Sequence, residues 1–336
     1  MNSSSSIAIR RLRGDILRHV SRSFYLSIRL LPAGLRDPIA LAYLLARATD
    51  TIADSAEIDV ALRLERLRDL AAIIQRDSPP AEMRAFQSFV ALQKNDAERT
   101  LLEQLPGCLE WLHALPEEDR QDIREVLAKI NEGQMLDVRR FQNPAQISAL
   151  QTALALDQYT YLVAGCVGEF WTRVCVRRLP GFTARARETM LAWAVEYGKG
   201  LQLVNILRDV GTDLRVGRCY LPADELQAMG LTPADFRRDA TRAESVLRAW
   251  RERAEQGIAA GVEYACAIGP WRVRLATVLP ALIGVRTLAL LREAGPQVIE
   301  RRVKVERAEV RRILLTLAAR LAAPSSIRAL QRTLSS

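Results

Sequence analysis

Four polar side chains recur at one-turn spacing in the segment LAYLLARATDTIAD, and their types suit metal and anion chemistry. Tyr43, Arg47, Asp50 and Asp54 are separated by four, three and four residues, which places them on one face of an α-helix. Apolar and small residues fill nearly every other side, so the helix is predicted to be buried. Two carboxylates one turn apart repel each other there, and a divalent cation would relieve the repulsion. The alternative is an exposed acid pair near a helix end.

A second polar stripe occupies the segment LQLVNILRDVGTD. Gln202, Asn205, Asp209 and Asp213 are spaced three, four and four residues apart, and all carry oxygen-bearing side chains. Hard oxygen ligands suit Mg²⁺, which keeps several waters and is often completed by substrate phosphates. The stripe is therefore suited to Mg²⁺ and a phosphorylated substrate, although Gly211 is expected to loosen the helix before Asp213.

Two basic segments accompany the acid stripes in the sequence. Arg215 and Arg218 flank Gly217 directly after the second stripe, an arrangement that suits a phosphate clamp and equally an ordinary basic loop. Arg22 stands between two serines in the segment Ser21–Phe24. Its guanidinium and the two hydroxyls could hold a phosphate, but alone this segment is a weak indication.

The segment DQYTYLVAGCVG combines aromatic hydroxyls with small residues. Gly165 and Gly168 lie within a predicted helix, where each costs about 1 kcal/mol relative to alanine. Two interpretations remain open: the glycines leave room for a long apolar chain, or they permit close helix packing. Tyr159 and Tyr161 add hydroxyls and aromatic faces that could stabilise a cation. The segment Gly133–Asp137 is predicted to be a turn at a helix end rather than a site.

Composition narrows the classes of function. The net charge is +9, but zinc-finger spacing, an RNA-binding aromatic strand and a dense basic tail are missing, so a nucleic-acid partner is not expected. An anionic substrate or membrane surface remains compatible with the charge. Five cysteines without a CxxC pair indicate reduced thiols in a cytoplasmic protein. Two histidines disfavour a hydrolase triad or a His-rich metal site.

Secretion and membrane-span signals are not apparent in the sequence. The N-terminal segment lacks an apolar core of the kind that signal peptides carry. The most apolar stretch runs from Leu275 to Val285, is flanked by arginines and contains Pro280. It is predicted to be too short for a membrane span, so a soluble or at most peripheral protein is expected.

Helical periodicity dominates the chain, and strand signals are nearly absent. The predicted helices cover about 7–20, 37–53, 59–76, 82–92, 97–104, 117–132, 148–176, 184–209, 243–265, 273–293 and 304–322. Breaks fall at proline and glycine pairs, including Leu105-Pro106-Gly107. Since long polar linkers are missing, an all-α single domain over residues 1–336 is predicted, with C-terminal helices in 297–336.

At these motifs the sequence resembles the squalene/phytoene synthase family over about residues 15–290. The matching segments are SRSF, DTIAD, YTYLVAGCVG, and QLVNILRDVGTD followed by GRCYLP. The resemblance implies an isoprenoid-synthase helical bundle with a central active-site cavity. It also implies head-to-head coupling of two prenyl diphosphates through a cyclopropyl intermediate.

The resemblance further implies a set of site residues and cofactors. Mg²⁺ is the implied metal, NADPH the implied reductant and farnesyl diphosphate the implied substrate. The implied metal ligands are Asp50, Asp54, Asn205, Asp209 and Asp213. Catalytic roles fall on these aspartates and on Tyr159 and Tyr43. The implied substrate-binding residues are Ser21, Arg22, Phe24, Arg47, Gly165, Gln202, Asn205 and Arg218.

The motifs differ in the product that they favour. Asp50 is followed by Thr51 and preceded by Arg47-Ala48-Thr49, which looks like squalene synthases, whereas phytoene synthases usually begin this motif with two adjacent acids. The ending Tyr220-Leu221-Pro222 looks more like the bacterial and phytoene branch. Squalene is the expected product; dehydrosqualene, phytoene and presqualene diphosphate are alternatives, as is a non-enzymatic helical scaffold. Peripheral membrane contact is expected at residues 301–320, with an ordinary salt-bridged helix as the alternative.

Overall fold

The computed structural model describes residues 9–21, 24–76 and 84–335, and these residues are predominantly helical. The first helices are α1 (Leu17–Ser21), α2 (Phe24–Leu30), α3 (Ala33–Asp54), α4 (Val60–Gln75), α5 (Arg84–Ala91), α6 (Asp96–Glu103), α7 (Leu105–Ala114) and α8 (Glu117–Arg140). A π-helical turn, Leu12–Ile16, precedes them. Arg22 lies outside the described residues.

The remaining elements complete an all-α fold, as predicted. They are β1 (Ser148–Leu150), α9 (Ala153–Thr160), a π-helical turn (Tyr161–Gly165), α10 (Cys166–Arg178), α11 (Arg187–Arg215), β2 (Arg218–Pro222), α12 (Ala223–Ala228), α13 (Pro233–Arg238), α14 (Glu244–Ala267), α15 (Trp271–Ala294), α16 (Arg307–Ala319) and α17 (Pro324–Ser335). Short 3₁₀ helices span Ala240–Ala243 and Gly295–Ile299.

The chain groups into two compact units. The first unit comprises Met1–Arg139 and Arg173–Arg178, and the second comprises Arg140–Thr172 and Leu179–Ser336. The single domain over residues 1–336 stays a prediction.

In the first unit, helix α3 is buried on most of its surface, as its sequence predicts. Leu41, Leu44, Leu45, Ala48 and Ile52 are fully excluded from solvent. Burial of each large aliphatic side chain contributes about 1.5–3 kcal/mol, so α3 is anchored firmly and its polar face has a fixed direction.

The structure differs from the sequence prediction at two places in the first unit. The predicted helix end near residue 104 is present, but the helix that follows it was not predicted. Helix α7 begins at Leu105-Pro106, because proline suits the first turn of a helix, where its missing N–H has no partner. Helix α8 continues through Gly133 to Arg140 rather than ending at Glu132. Gly133 is buried there, and tertiary packing outweighs the low helix propensity of glycine. The segment Gly133–Asp137 is therefore helix, not turn.

In the second unit, the 29-residue helix α11 packs against α14 through glycines. A Cβ added to Gly200 would come within 2.8 Å of the Gly257 backbone, and one added to Gly257 within 2.7 Å of Gly200. Two side chains are missing where the helices touch, so their backbones approach closely. This contact fixes the helix that carries the second acid stripe.

Helix α15 matches the predicted helix 273–293 closely, but its apolar segment is longer than the stretch Leu275–Val285 that the sequence prediction considered. By length and composition the segment Trp271–Ile299 could cross a membrane, because Pro280 lies inside the helix instead of ending it. In the fold, 72% of its apolar window is buried. The core helix of a soluble protein meets the same criterion.

Strands β1 and β2 correct the predicted helix start at Ser148. They form a parallel pair in which Ser148 faces Arg218, and helix α9 begins only at Ala153. Gly217 adopts φ +79° directly before β2, and a Cβ there would lie 2.9 Å from the Pro144 carbonyl oxygen. So short a pairing leaves little periodic pattern in the sequence.

Candidate functional site

The first acid stripe lies on α3 and is held by partners in its own unit. The Arg47 guanidinium forms ion pairs with Asp50 and with Glu98. Gln134 Nε2 on α8 donates to Asp50 Oδ1 at 3.0 Å. The Asp50 side chain is 34% exposed, so the carboxylate is fixed from two sides and still reaches solvent.

The electrostatics of this stripe fit a divalent cation. Burial, and next the charge of Asp54, raise the pKa of Asp50 to about 6, although Arg47 and Gln134 act in the opposite direction. The pKa of Arg47 is lowered by burial, but the carboxylates of Asp50 and Glu98 raise it above its ordinary value overall. One arginine thus does not relieve the crowding of negative charge, whereas a bound Mg²⁺ would.

Other predicted residues near this stripe have protein partners. The Tyr43 hydroxyl donates to the Val20 carbonyl at 3.2 Å. The Ser21 hydroxyl is buried and donates to the Leu17 carbonyl, so donation to a phosphate would require this bond to break. Phe24 begins α2, but its side chain lies outside the described residues, as does Arg22.

The second acid stripe lies on α11, which remains helical through Gly211 and Asp213 to Arg215. The expected loosening at Gly211 is therefore wrong. Gln202, Asp209 and Asp213 are half-buried and Asn205 is exposed, so the predicted face is accessible in its own unit.

Two arginines not predicted for this site contact Asp209. Arg208 pairs with it from the preceding position, and Arg302 lies 3.6 Å from Asp209 Oδ1 while being 69% exposed. The segment before Arg302 is held against α11 at Gly211, where an added Cβ would overlap the Ile299 carbonyl. Arg215 Nη1 donates to the same carbonyl at 3.5 Å. A glycine inside a helix that otherwise holds metal-type ligands was the one sequence signal of this close approach.

Tyr159 is nearly buried in an aromatic cluster. Its ring stacks on Tyr220 with centroids 5.1 Å apart, and Phe141 meets Tyr220 edge-on at 5.2 Å. Tyr159 is 5% exposed. Arg218 begins the strand that carries Tyr220 and is half-buried. The cluster joins the predicted catalytic tyrosine to the GRCYLP motif.

The glycines of the Tyr159 segment favour close packing over an open cavity. A Cβ on Gly168 would overlap the Ala194 carbonyl of α11. A Cβ on Gly165 would lie 3.1 Å from the Tyr161 ring and 3.2 Å from Cγ of Lys199. The space that a Cβ of Gly165 would take is therefore already filled by this chain, which supports the close-packing interpretation; substrate binding at Gly165 stays a prediction.

Metal binding here would depend on more than side chains. Within residues 9–21, 24–76 and 84–335, His, Cys, Asp and Glu form no group of three or more arranged to hold a metal. Each aspartate pair would complete its coordination with amide oxygens, water or substrate phosphates, which is the usual mode for Mg²⁺. The hard oxygen donors of both stripes fit this ion.

The sequence matches the squalene/phytoene synthase family profile over residues 17–309. A squalene synthase of Saccharomyces cerevisiae is 31% identical over 62% of this chain and 45% of its own length. Phytoene synthase 3 of Zea mays is 30% identical over 66% of this chain and 44% of its own. The chain thus spans less than half the length of these curated relatives.

Solved structures share the fold. TcSQS bound to a ligand superposes with a TM-score of 0.79 and 23% identity, covering 97% of this chain and 90% of that chain. A dehydrosqualene synthase gives a TM-score of 0.64 and 20% identity, covering 95% and 98%. Squalene synthase HpnC from Alicyclobacillus acidocaldarius gives 0.62 and 20%, covering 88% and 97%.

Proposed function

Because the chain belongs to the squalene/phytoene synthase family, we propose that it condenses two farnesyl diphosphates head to head, through presqualene diphosphate, to squalene. The main support for the proposal is that each acid stripe lies on one continuous helix in the structure. A helical scaffold would have no need for the crowded carboxylates of Asp50 and Asp54.

Both stripes would hold Mg²⁺ and, with it, the diphosphates. Mg²⁺ would supply Lewis-acid stabilisation of the departing diphosphate. In the first stripe Asp50 and Asp54 would bind Mg²⁺; in the second, Asp209 and Asp213 would do so, with Asn205 as a further ligand and Gln202 as support. Arg47 and Arg218, together with Arg22, share the charge of the phosphates.

Tyr159 would take part in proton removal as the cyclopropane ring forms. Its hydroxyl sits on a buried ring fixed by Tyr220, which favours one orientation and excludes water. The released diphosphate could serve as the final base, with Tyr159 passing the proton. Tyr43 would face the substrate, and NADPH would supply hydride to the rearranged cation, a role taken from the family alone.

The first aspartate motif is the reason for proposing squalene rather than another product. Asp50 is followed by Thr51 rather than a second acid, as in squalene synthases. Tyr220-Leu221-Pro222 looks more like the bacterial and phytoene branch, so dehydrosqualene or phytoene is the second candidate. The proposed location is the cytoplasm, with peripheral contact at the inner face of the membrane.

Product analysis tests the proposal directly. The purified full chain is incubated with farnesyl diphosphate, with and without Mg²⁺ and NADPH, and the products and diphosphate release are quantified. We expect Mg²⁺-dependent diphosphate release, and squalene only when NADPH is present. Dehydrosqualene in the presence of NADPH, or phytoene from geranylgeranyl diphosphate, would replace the squalene assignment. No diphosphate release from either substrate would refute an enzymatic role.

A further inference from the structure

Helix α16 and the turn after it present an exposed face that carries arginine, alanine and leucine but no acidic residue. We name it the arginine–leucine face. Its exposed members are Arg307, Ala308, Arg311, Arg312, Leu315, Ala318, Ala319, Arg320 and Leu321. Four arginines, of which Arg312 pairs with Glu309, give this face a positive potential, and the leucines make it apolar as well.

Glu309, the acidic residue of α16, is mostly buried and lies between Arg286 of α15 and Arg312 of this face, whose Nη2 is 3.6 Å from Glu309 Oε1. Glu309 is 19% exposed and accepts from Arg286 Nε of α15 at 3.0 Å. Glu306 precedes the helix as its N-cap residue. The alternative of an ordinary salt-bridged helix therefore accounts for Arg312 but not for Arg307 and Arg311, which form no ion pair within the described part of the chain.

Two leucines on this face point largely into solvent instead of packing in the core. Leu315 is 63% exposed in mid-helix and Leu321 is 56% exposed in the following turn. Leu321 and Ala322 both adopt φ +49°, a region that non-glycine residues rarely occupy. Ala322 is fully buried, its amide donates to Leu317 at 2.7 Å, and its carbonyl accepts from Arg274. The turn is thus held in a conformation that keeps Leu321 outside.

An aromatic side chain lies near the same turn. Trp271 is 40% exposed at the start of α15, one turn before the arginine that contacts Ala322. Tryptophan is enriched where one side of a side chain is wet and the other meets acyl chains. It extends the apolar character of this end of the second unit.

We propose that the arginine–leucine face docks on an anionic lipid bilayer, with α16 lying in the plane of the headgroups. The arginines complement acidic headgroups, and Leu315 and Leu321 enter the acyl boundary. A nucleic acid or another polyanion would use the arginines equally well, but would gain nothing from exposed leucines. The surface is independent of the proposed enzymatic function.

Vesicle partitioning of the full chain tests this surface. The probes are phosphatidylcholine vesicles with and without phosphatidylglycerol, at low and high salt. We expect binding only with the anionic lipid, weakened by salt. Arg311→Gln should lower partitioning about fivefold, and Leu315→Asn should lower it about tenfold.

Matched controls separate this surface from general charge and hydrophobicity. Arg248→Gln removes the same charge from an exposed position of α14, and Leu92→Asn removes a leucine that is 52% exposed elsewhere. Both should partition like the wild type. Circular dichroism confirms that all four variants are folded.

Three outcomes would overturn the proposal. Equal partitioning onto neutral and anionic vesicles removes the electrostatic contribution. Arg311→Gln matching Arg248→Gln, or Leu315→Asn matching Leu92→Asn, removes this face as the contact. Binding to duplex DNA that depends on Arg311 but not on Leu315, without vesicle binding, would assign the face to a polyanion instead.

Discussion

Asp50 in the first aspartate stripe shares its arginine with Glu98, whereas Asp209 in the second stripe is contacted by two arginines, Arg208 and the largely exposed Arg302. Arg47 is 28% exposed and shared between Asp50 and Glu98. Arg302, beside Asp209, is 69% exposed. Two carboxylates that share one partly buried arginine keep an excess of negative charge, while an exposed pair such as Arg302–Asp209 is weak and easily replaced. The first stripe is therefore expected to respond in stability, and the second mainly in ligand binding.

Neutralising one aspartate in each stripe should give the largest effect. Asp50→Asn and Asp209→Asn should each lower turnover on the order of 10³-fold, because each would remove a proposed ligand of the Mg²⁺ that would stabilise the departing diphosphate. Helicity should stay near that of the wild type. Steady-state kinetics at saturating Mg²⁺, together with circular dichroism, measures both.

The double variant sharpens this comparison. If both stripes serve one reaction, the combined loss should be much smaller than the product of the single losses. Wild-type turnover in either single variant would refute the metal assignment for that stripe.

Substitution of the two tyrosines should give the second largest effect on rate, and the two variants should differ. Tyr159→Phe keeps the stacked ring but removes the hydroxyl, so formation of presqualene diphosphate should fall on the order of 10²-fold, the low end for proton transfer. Tyr43→Phe removes a bond to the Val20 carbonyl and should change this step only a few-fold. Single-turnover assays separate the first half-reaction from substrate binding. A normal rate in Tyr159→Phe would leave that residue a packing or cation-stabilising role.

The polar neighbours of the two stripes provide a finer test. Gln134→Ala removes the amide that orients Asp50 and should weaken Mg²⁺ activation roughly tenfold, as outer-sphere partners of metal ligands do. Arg302→Gln should change it by no more than about twofold to fivefold, because an exposed ion pair contributes little. Mg²⁺ titrations of initial rate give both values, and the reverse order would invert the comparison.

The smallest expected effect is on the pH dependence of stability. Because the folded-state pKa of Asp50 is about 6, above the ordinary 3.8, the folded protein binds more protons than the unfolded chain between about pH 4 and pH 6. The free energy of unfolding contributed by this group therefore falls as the pH rises through that window. Asp50→Asn lacks this contribution, and without Mg²⁺ its melting temperature should exceed that of the wild type by roughly one to three degrees at pH 7.

A melting series from pH 4 to pH 7 checks the sign. Asp209→Asn serves as the matched control for removal of one carboxylate. Parallel curves for the wild type and Asp50→Asn would show that Asp50 is not destabilised by its surroundings.

Local spacing predicted the helices of both stripes, but not the residues that hold them. The faces of α3 and α11 follow from neighbours three and four positions apart, which helical geometry alone brings together. Gln134 contacts Asp50 across 84 positions, and no periodic pattern encodes such a pairing. Gly133, beside Gln134, favours a turn by its low helix propensity, but tertiary packing extends α8 through it.

The two interpretations of the small-residue helix could not be separated from the sequence for a similar reason. A glycine looks the same in the sequence whether a ligand or a neighbouring backbone fills the space beside it. The neighbour of Gly168 is the Ala194 carbonyl, on a helix whose approach depends on the tertiary fold. Arg302 escaped prediction because the segment that carries it is placed by contacts with α11.

The contact between Gly211 and Ile299 also limits how this protein can evolve. Even alanine at position 211 would drive a methyl group into a carbonyl oxygen, although alanine is the best helix former. Thr212, the next residue, is exposed, and its hydroxyl accepts a surface hydrogen bond from Arg215 Nη2 at 3.1 Å, so substitution there costs much less. The two neighbouring positions therefore tolerate substitution very differently. Any side chain at position 211 would push Ile299, and Arg302 with it, away from the acid stripe, whereas position 212 lies at the surface.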